Sequence, residues 1–260
     1  MKNKYLFKLA TLLTIVTTVV IFSVFLMKNK KKEKATDLNI RDSASLQVSE
    51  ISDKIGEIAD KQGKELPEDK TDNLPDKVLL DVPFLSQAPF ADWNALHEDA
   101  CEEASLITVE LFRDGVKSVA KEKAEEEIQE MIAYEERNGH EISITLEELN
   151  KIAKDYYNLN TGRVKKNVTI DDIKKELAAG RPVIVGAAGK ILPNPNFRNG
   201  GPNYHMLVIK GYDSRGFITN DPGTRKGEGF RYTFQALFSA IHDWNPDNIM
   251  NGQKNYLVFD

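Results

Sequence analysis

The pattern of apolar and polar positions divides the chain into three segments. Residues 9–27 form a single run without a charged residue, bounded by Lys8 and Lys28. Residues 28–76 mix Lys, Glu, Asp, Ser and Gln and contain no aromatic residue, which is typical of a solvated spacer. From residue 77 onward, apolar residues recur at helix and strand spacings, so we expect the folded domain there.

The folded segment opens with a predicted strand and an aromatic-rich connection, after which helical periodicities precede strand patterns. Capping residues mark three helix starts, namely Asp99 with Glu102, Thr145 with Glu148, and Thr169. Helices followed by antiparallel strands predict an α+β domain whose helices pack on a C-terminal sheet. The predicted elements are strand 78–82, helices 99–112, 119–137, one from 145 and 169–180, strands 182–188, 204–212 and 216–220, helix 233–244, and strand 255–259.

Composition and charge exclude several classes of protein. A chain of 260 residues has room for one or two domains. The single cysteine excludes a disulfide framework and any multi-cysteine zinc module. Residues 1–34 carry eight Lys and one Glu, whereas the remainder carries 27 basic and 39 acidic residues. An acidic domain lacks the basic face that a nucleic-acid-binding protein needs for phosphates.

The uncharged run predicts a membrane anchor. Its 19 residues would span about 28 Å as a helix, close to the hydrocarbon thickness of a bilayer. A cleaved signal peptide usually has a shorter apolar region and small residues before the cut, and neither is present. We therefore expect a cytoplasmic segment 1–8, a transmembrane anchor 9–27, a polar stalk 28–76 and a domain 77–260 outside the cell membrane. Both flanks are basic, so this orientation rests on the usual topology of single N-terminal anchors and not on charge.

Three separated positions could supply a nucleophile, a base and a group that orients the base. Cys101 lies in the first turn of a predicted helix, where free amides and the helix dipole favour a thiolate, although neighbouring carboxylates oppose this if they point inward. His205 opens a predicted strand after a loop rich in Gly, Pro and Asn. Asn220 and Asp221 lie where the next strand ends, and either could orient an imidazole. A single cysteine is otherwise more often a buried apolar residue, so the combination carries the hypothesis.

A metal site is the weaker interpretation of the same region. His97 and Cys101 are four residues apart, but zinc needs three or four ligands, and His140 or His242 would have to come from distant segments. This spacing matches no metal-binding motif, so we predict neither a metal nor a cofactor.

Four sequence blocks resemble the bacteriocin-processing-peptidase-like branch of the papain-like cysteine peptidases. They are VPFLSQ at 82–87, DACEEASL at 99–106, YHMLVIKGYD at 204–213 and NDPG at 220–223. The resemblance spans about residues 78–260 and implies a papain-like fold, hydrolysis of a peptide or protein substrate, and no cofactor. It implies Cys101 as the nucleophile, His205 as the base and Asp221 as the orienting residue. Gln87 would help to stabilise the oxyanion together with the backbone N–H of Cys101, since a tetrahedral intermediate needs such donors.

Two features depart from that branch. Many members have Gly-Pro after the cysteine, where this chain has Glu102 and Glu103. The export-linked members are also fused to a transporter, and no such fusion is expected in this sequence. The resemblance therefore does not imply a double-glycine leader as substrate. Two alternatives stay open: another acyl transfer or an amidase reaction on cell-wall peptides, and a domain that binds peptides without catalysis.

Overall fold

The structure, a computed structural model, describes residues 74–260. The predicted anchor and nearly all of the predicted stalk lie outside this range. Among the described residues, no helix combines the length and apolar character needed to cross a membrane.

The described chain is an α+β domain, as the order of its sequence patterns predicts. Helices α1 to α4 precede most of the strands, and α5 and α6 are interspersed among them. The helices are α1 (Ala95–Glu98), α2 (Cys101–Arg113), α3 (Lys121–Asn138), α4 (Leu146–Tyr157), α5 (Ile170–Ala178) and α6 (Phe234–Ala240). The strands are β1 (Val78–Leu79), β2 (Gly162–Lys165), β3 (Val183–Ala188), β4 (Tyr204–Asp213), β5 (Gly216–Asn220), β6 (Phe230–Tyr232) and β7 (Tyr256–Phe259).

Two of the three predicted helix starts have the expected caps. Thr145 accepts a hydrogen bond from the backbone N–H of Glu148, whose carboxylate in turn accepts from the Thr145 N–H. Thr169 and Asp172 form the same reciprocal pair before α5. Such a box satisfies two amides that the helix itself cannot pair, which fixes where α4 and α5 begin.

The predicted capping box at Asp99 is wrong. The cap position of α2 is Ala100, which makes no side-chain capping bond, and Asp99 ends the preceding helix α1. That short helix was not predicted, and its own cap is Asn94, which accepts from the N–H groups of Leu96 and His97. Two residues separate α1 from α2, and the buried carboxyl of Glu102 contacts Cys101 Sγ and does not reach back to a cap.

The sheet is antiparallel, with the strand order β2-β7-β3-β4-β5-β6, and β1 pairs with one end of β4. β4 lies in the middle and pairs with β3 along one edge and with β5 along the other. The strand predictions at 182–188, 204–212, 216–220 and 255–259 are confirmed to within a residue or two, whereas the strand predicted at 78–82 covers only 78–79. Two strands were missed, β2 and β6, because each is only three or four residues long with alternating exposure.

Helices cover both faces of the sheet. On β4, Met206 and Val208 pack in the core with α2, α3 and α4, whereas Leu207 and Ile209 pack in the core with α5 and α6. This alternation follows from the period of two along a strand, and it explains why the β4 sequence is continuously apolar. The central strands are therefore held rigidly from both sides, and the ends of β4 and β5 give fixed positions for functional side chains.

Candidate active site

The imidazole of His205 and the carboxylate of Asp221 form a fully buried pair. His205 is the second residue of β4 and Asp221 directly follows β5, so the pairing of these strands brings them together. His205 Nε2 lies 2.8 Å from Asp221 Oδ1. His205 Nδ1 has no hydrogen-bond partner among the described residues. An ionised Asp221 accepts only, so Nε2 donates to Oδ1, and whenever the ring is neutral the lone pair is on Nδ1.

Asp221 is held by four donors. Besides His205, the backbone N–H of Gly223 donates to Oδ1 at 3.1 Å, and Oδ2 accepts from the Tyr232 hydroxyl at 2.7 Å and from the Asn194 amide at 3.1 Å. Burial alone would raise the pKa of Asp221, but the charge and hydrogen bond of His205 and the other side-chain donors outweigh it. The pKa therefore lies below its ordinary value, and the carboxylate is ionised.

The thiol of Cys101 lies against the backbone next to His205. Cys101 is the first residue of α2, and the N–H of Met206 donates to its Sγ at 3.3 Å. Met206 directly follows His205, so helix α2 packs its first turn on the start of β4. This packing brings Cys101 to the strand that carries His205, 104 positions along the chain, and His205 in turn contacts Asp221 16 positions further on.

The neighbouring carboxylates point inward. Cys101 Sγ lies 2.8 Å from Glu102 Oε2, and Glu102 is only 2% exposed. Burial, and then the charge and hydrogen bond of Glu102, raise the pKa of the Cys101 thiol well above its ordinary value, and the Met206 N–H opposes this only in part. In the structure, the expected effect of the helix start on the thiol is therefore outweighed by burial and by Glu102.

Gln87 lies in the connection before α1 and is buried. Its Nε2 donates to the carbonyls of His97 and Glu98 at 2.8 and 3.1 Å, and its own N–H donates to the carbonyl of Pro222. Both protons of the Gln87 amide are thus in hydrogen bonds. Gln87 would have to break its bond to one of these carbonyls before it could donate to an oxyanion.

Asn220 does not contact the imidazole. Its Nδ2 donates to the carbonyls of Val82 and Pro83 at 3.1 and 2.7 Å, and its Oδ1 accepts from the N–H of Gly229. The side chain therefore ties the segment after β1 to the end of β5. Of the two candidates for orienting His205, the structure places Asp221 at the ring.

A cavity of roughly 330 Å³ opens beside the buried pair. The loop between β3 and β4 forms one wall, and the segment around α1 forms the other. Trp93 lines this cavity, whereas Trp244 packs on Tyr204 with ring centroids 5.2 Å apart. The lining residues that matter for chemistry are Gln87, Trp93, Asp99, Phe197, His205 and Gly223.

The weak metal hypothesis finds no support among residues 74–260, where no group of three or more His, Cys, Asp or Glu is placed to hold a metal ion. His97 instead bonds Asn94 through Nδ1 and Glu125 through Nε2. His242 bonds the carbonyl of Gly252 at 2.7 Å, just beyond the end of α6.

Sequence reasoning missed three side chains that complete the site. Asn194 and Tyr232 bond Asp221, and the ring of Phe197 meets that of His205 edge to face at 5.3 Å. Asn194 and Phe197 lie in the loop whose Gly, Pro and Asn content had indicated a segment over a site. Tyr232 lies in the short strand β6, which gave no sequence signal.

Comparison with known proteins shows the family of the chain. Residues 79–248 match the model of the Peptidase_C39 like family, which is more than half of the chain. A crystal structure from Bacillus anthracis, described as that of a C39-like peptidase, is 20% identical and aligns over 72% of this chain and 98% of its own, with a TM-score of 0.42. No curated protein matches the chain. The matched span contains Cys101, His205 and Asp221, and the chain belongs to the Peptidase_C39 like family, the branch of papain-like peptidases that its four sequence blocks resemble.

Proposed function

We propose that this protein is a membrane-anchored cysteine peptidase in which Cys101, His205 and Asp221 form the catalytic triad. The observation that supports it best is the buried His205–Asp221 hydrogen bond, which leaves His205 Nδ1 without a partner, while the Cys101 thiol accepts from the N–H of Met206, the residue after His205. A base in this arrangement has one nitrogen fixed by a carboxylate and the other free to take a proton.

The reaction follows from these positions. His205 Nδ1 takes the proton of Cys101, and Sγ attacks the carbonyl carbon of the scissile peptide bond. Asp221 stabilises the imidazolium that forms and keeps the ring oriented. The imidazolium then gives its proton to the leaving amine, and water hydrolyses the acyl-enzyme with His205 as the base.

The oxyanion of the tetrahedral intermediate needs two donors. The backbone N–H of Cys101, at the start of α2, is one, and the Nε2 amide of Gln87 is the other once it leaves the carbonyl of His97 or Glu98. Substrate entering the cavity would drive this exchange. Gln87→Ala is then expected to lower kcat more than it raises KM.

Activity of the full chain in detergent on a peptide library tests the proposal, with products identified by mass spectrometry. Cys101→Ala should abolish cleavage, and Glu122→Gln, an exposed change in the first turn of α3, should not alter it. Products joined to an added amine would indicate acyl transfer as the main reaction. Binding of peptides without turnover in the unaltered chain would contradict the proposal.

The anchor places the domain outside the membrane in this proposal. It rests on the uncharged run 9–27, which lies beyond the described residues. Protease treatment of intact cells should release the domain by cutting between residues 28 and 73. A domain that is protected until the cells are lysed would contradict this orientation.

A further inference from the structure

Glu102 contacts the sulfur of the proposed nucleophile and has no role in the mechanism above. Its Oε2 lies 2.8 Å from Cys101 Sγ, and its Oε1 has no hydrogen-bond partner of ordinary geometry among the described residues. The side chain is 2% exposed.

Among the described residues, the groups that interact electrostatically with Glu102 include carboxyl groups, a phenol and the Cys101 thiol. Glu103 follows it on α2, Glu135 faces it from α3, and Tyr204 faces it from β4. No ion pair to Glu102 occurs within residues 74–260. Burial first, and then the charge of Glu103, raise the pKa of Glu102 to about 8, although hydrogen bonds from the Cys101 thiol and then from the N–H groups of Glu102 and Ile144 oppose this. Glu102 is therefore mainly protonated at neutral pH.

The two protonation states of Glu102 have opposite effects on the sulfur. A carboxylate accepts a hydrogen bond from the thiol. This bond favours the state in which the proton stays on Sγ, and so it opposes transfer of that proton to His205. A carboxylic acid has a proton of its own to donate, so it can donate to Sγ. Together with the Met206 N–H at 3.3 Å, Sγ would then receive two hydrogen bonds, which is the environment of a stabilised thiolate.

We propose that Glu102 is a positioning residue whose protonated carboxyl donates to Cys101 Sγ and so permits transfer of the thiol proton to His205 Nδ1. The proton balance is simple: the thiol proton moves to the imidazole, and the carboxyl proton stays on Glu102. Loss of the carboxyl proton returns the imidazolium proton to Sγ and switches the site off. This rests on the proposed function, because it takes Cys101 as the nucleophile.

The test measures thiolate directly, by ultraviolet absorbance of the full chain in detergent against Cys101→Ala. The chain has one cysteine, so the difference reports Cys101 alone. Burial raises the pKa of the thiol in every variant, so we expect only a small thiolate signal near neutral pH in the unaltered protein, and it should fall as Glu102 ionises. In Glu102→Gln the amide donates at every pH, so the signal should persist through pH 9. Glu102→Leu has no donor, and its signal at pH 7 should be lower by roughly tenfold, about one pKa unit.

A signal that rises in a single step with pH, at the same midpoint in the unaltered protein and in Glu102→Gln, would overturn the proposal. Circular dichroism of each variant identifies loss of fold, and Glu102→Gln keeps the shape of the side chain. Peptide cleavage is measured separately. If the thiolate behaves as expected but no peptide is cleaved, the proposed peptidase function fails and the role of Glu102 stands.

Discussion

Asn220 and Asp221 are adjacent in the chain and both buried, yet they serve different parts of the molecule. Successive side chains of an extended segment point to opposite sides, so only one of the two can reach His205. The structure gives that position to Asp221 and directs Asn220 to the backbone at 82–83. An ionised carboxylate suits position 221 because it stabilises an imidazolium. A neutral amide suits position 220 because its N–H groups donate to carbonyls.

Asp221→Asn is expected to lower turnover at least about tenfold, because a neutral amide cannot stabilise the charged ring. Asn220→Ala should instead lower the free energy of unfolding by about 1–3 kcal/mol, since it leaves buried carbonyls unpaired. Peptide cleavage and thermal unfolding of both variants measure the two effects. The assignment fails if Asn220→Ala stops turnover in a folded protein while Asp221→Asn is nearly silent.

A glycine is needed at position 223 because the imidazole of His205 leaves no room for a side chain, and not because of the backbone conformation. A Cβ at this position would lie 2.8 Å from His205 Cε1 and 3.1 Å from the ring of Phe197. Gly223→Ala should therefore displace the ring and lower turnover by more than about tenfold, since small misplacements of catalytic groups are costly. Gly229→Ala has open space around its Cβ but a φ of +60°, so it controls for strain in the same loop. Equal turnover in both variants would contradict a steric role.

At the scale of elements, the start of α2 carries a cluster of inward-facing carboxyl groups. Glu103 faces Glu135 of α3, and burial raises the pKa of both, that of Glu135 to about 7. With Glu102, these groups retain protons in the folded state that an unfolded chain would have released. The packing of α2 on α3 is thus more stable when Glu103 and Glu135 are protonated than when both are charged.

Thermal stability should therefore fall as the pH rises. Carboxyl groups with an ordinary pKa of 4.5 lose their protons on unfolding, whereas the folded state keeps them until about pH 7–8. Between these limits the folded state binds more protons, so the free energy of unfolding decreases with pH and levels off above about pH 8. Melting temperatures from pH 5 to 9 measure this, and Glu135→Gln should flatten the slope. A melting temperature that rises from pH 6 to 9 would contradict the assignment.

At the scale of the whole molecule, charge is divided between the two sides of the cavity. Residues 92–157, which hold α1 to α4, carry 18 Asp and Glu and seven Lys and Arg, whereas residues 158–260 carry nine and 14. Arg198 bridges the two sides through an exposed ion pair with Glu98 at 3.4 Å. A second cavity, adjoining the first at Trp93, Arg198 and Gly223, is also lined by Arg225 and Lys226 and has no acidic lining residue.

Peptides with an acidic side chain on the side of this second cavity should be cleaved preferentially. Changing both Arg225 and Lys226 to Glu should lower kcat/KM for acidic peptides several-fold and leave neutral ones unchanged, with a weaker effect at high salt. Library cleavage by the two proteins measures the preference. An identical profile would show that these cations do not select substrate.

Removal of the stalk should hardly affect the domain. The Tyr212 hydroxyl donates to the carbonyl of Pro75 at 2.8 Å, so the last residues before β1 contact the domain. Deleting residues 28–73 should change the melting temperature by less than about 4 °C, or roughly 1 kcal/mol. A larger drop would mean that part of the stalk packs on the core.

The sequence by itself determined most elements, because caps and apolar periodicities are local. Thr145 and Thr169 open their helices as predicted, and the apolar runs of β3, β4 and β5 are strands. The four sequence blocks also led to Cys101, His205 and Asp221. The anchor at 9–27 and the stalk stay predictions from sequence.

Only the tertiary structure decided which groups touch. Asp99 has the residue type of a helix cap, but α1 takes up the chain before α2, and Glu102 turns to the sulfur of Cys101. Asn194 and Tyr232 reach Asp221 from 27 and 11 residues away. Such contacts arise from the pairing of β4 with β5 and the packing of α2 on the sheet, and no local pattern encodes them. The electrostatics of the thiol follow from burial, which the sequence around it does not specify.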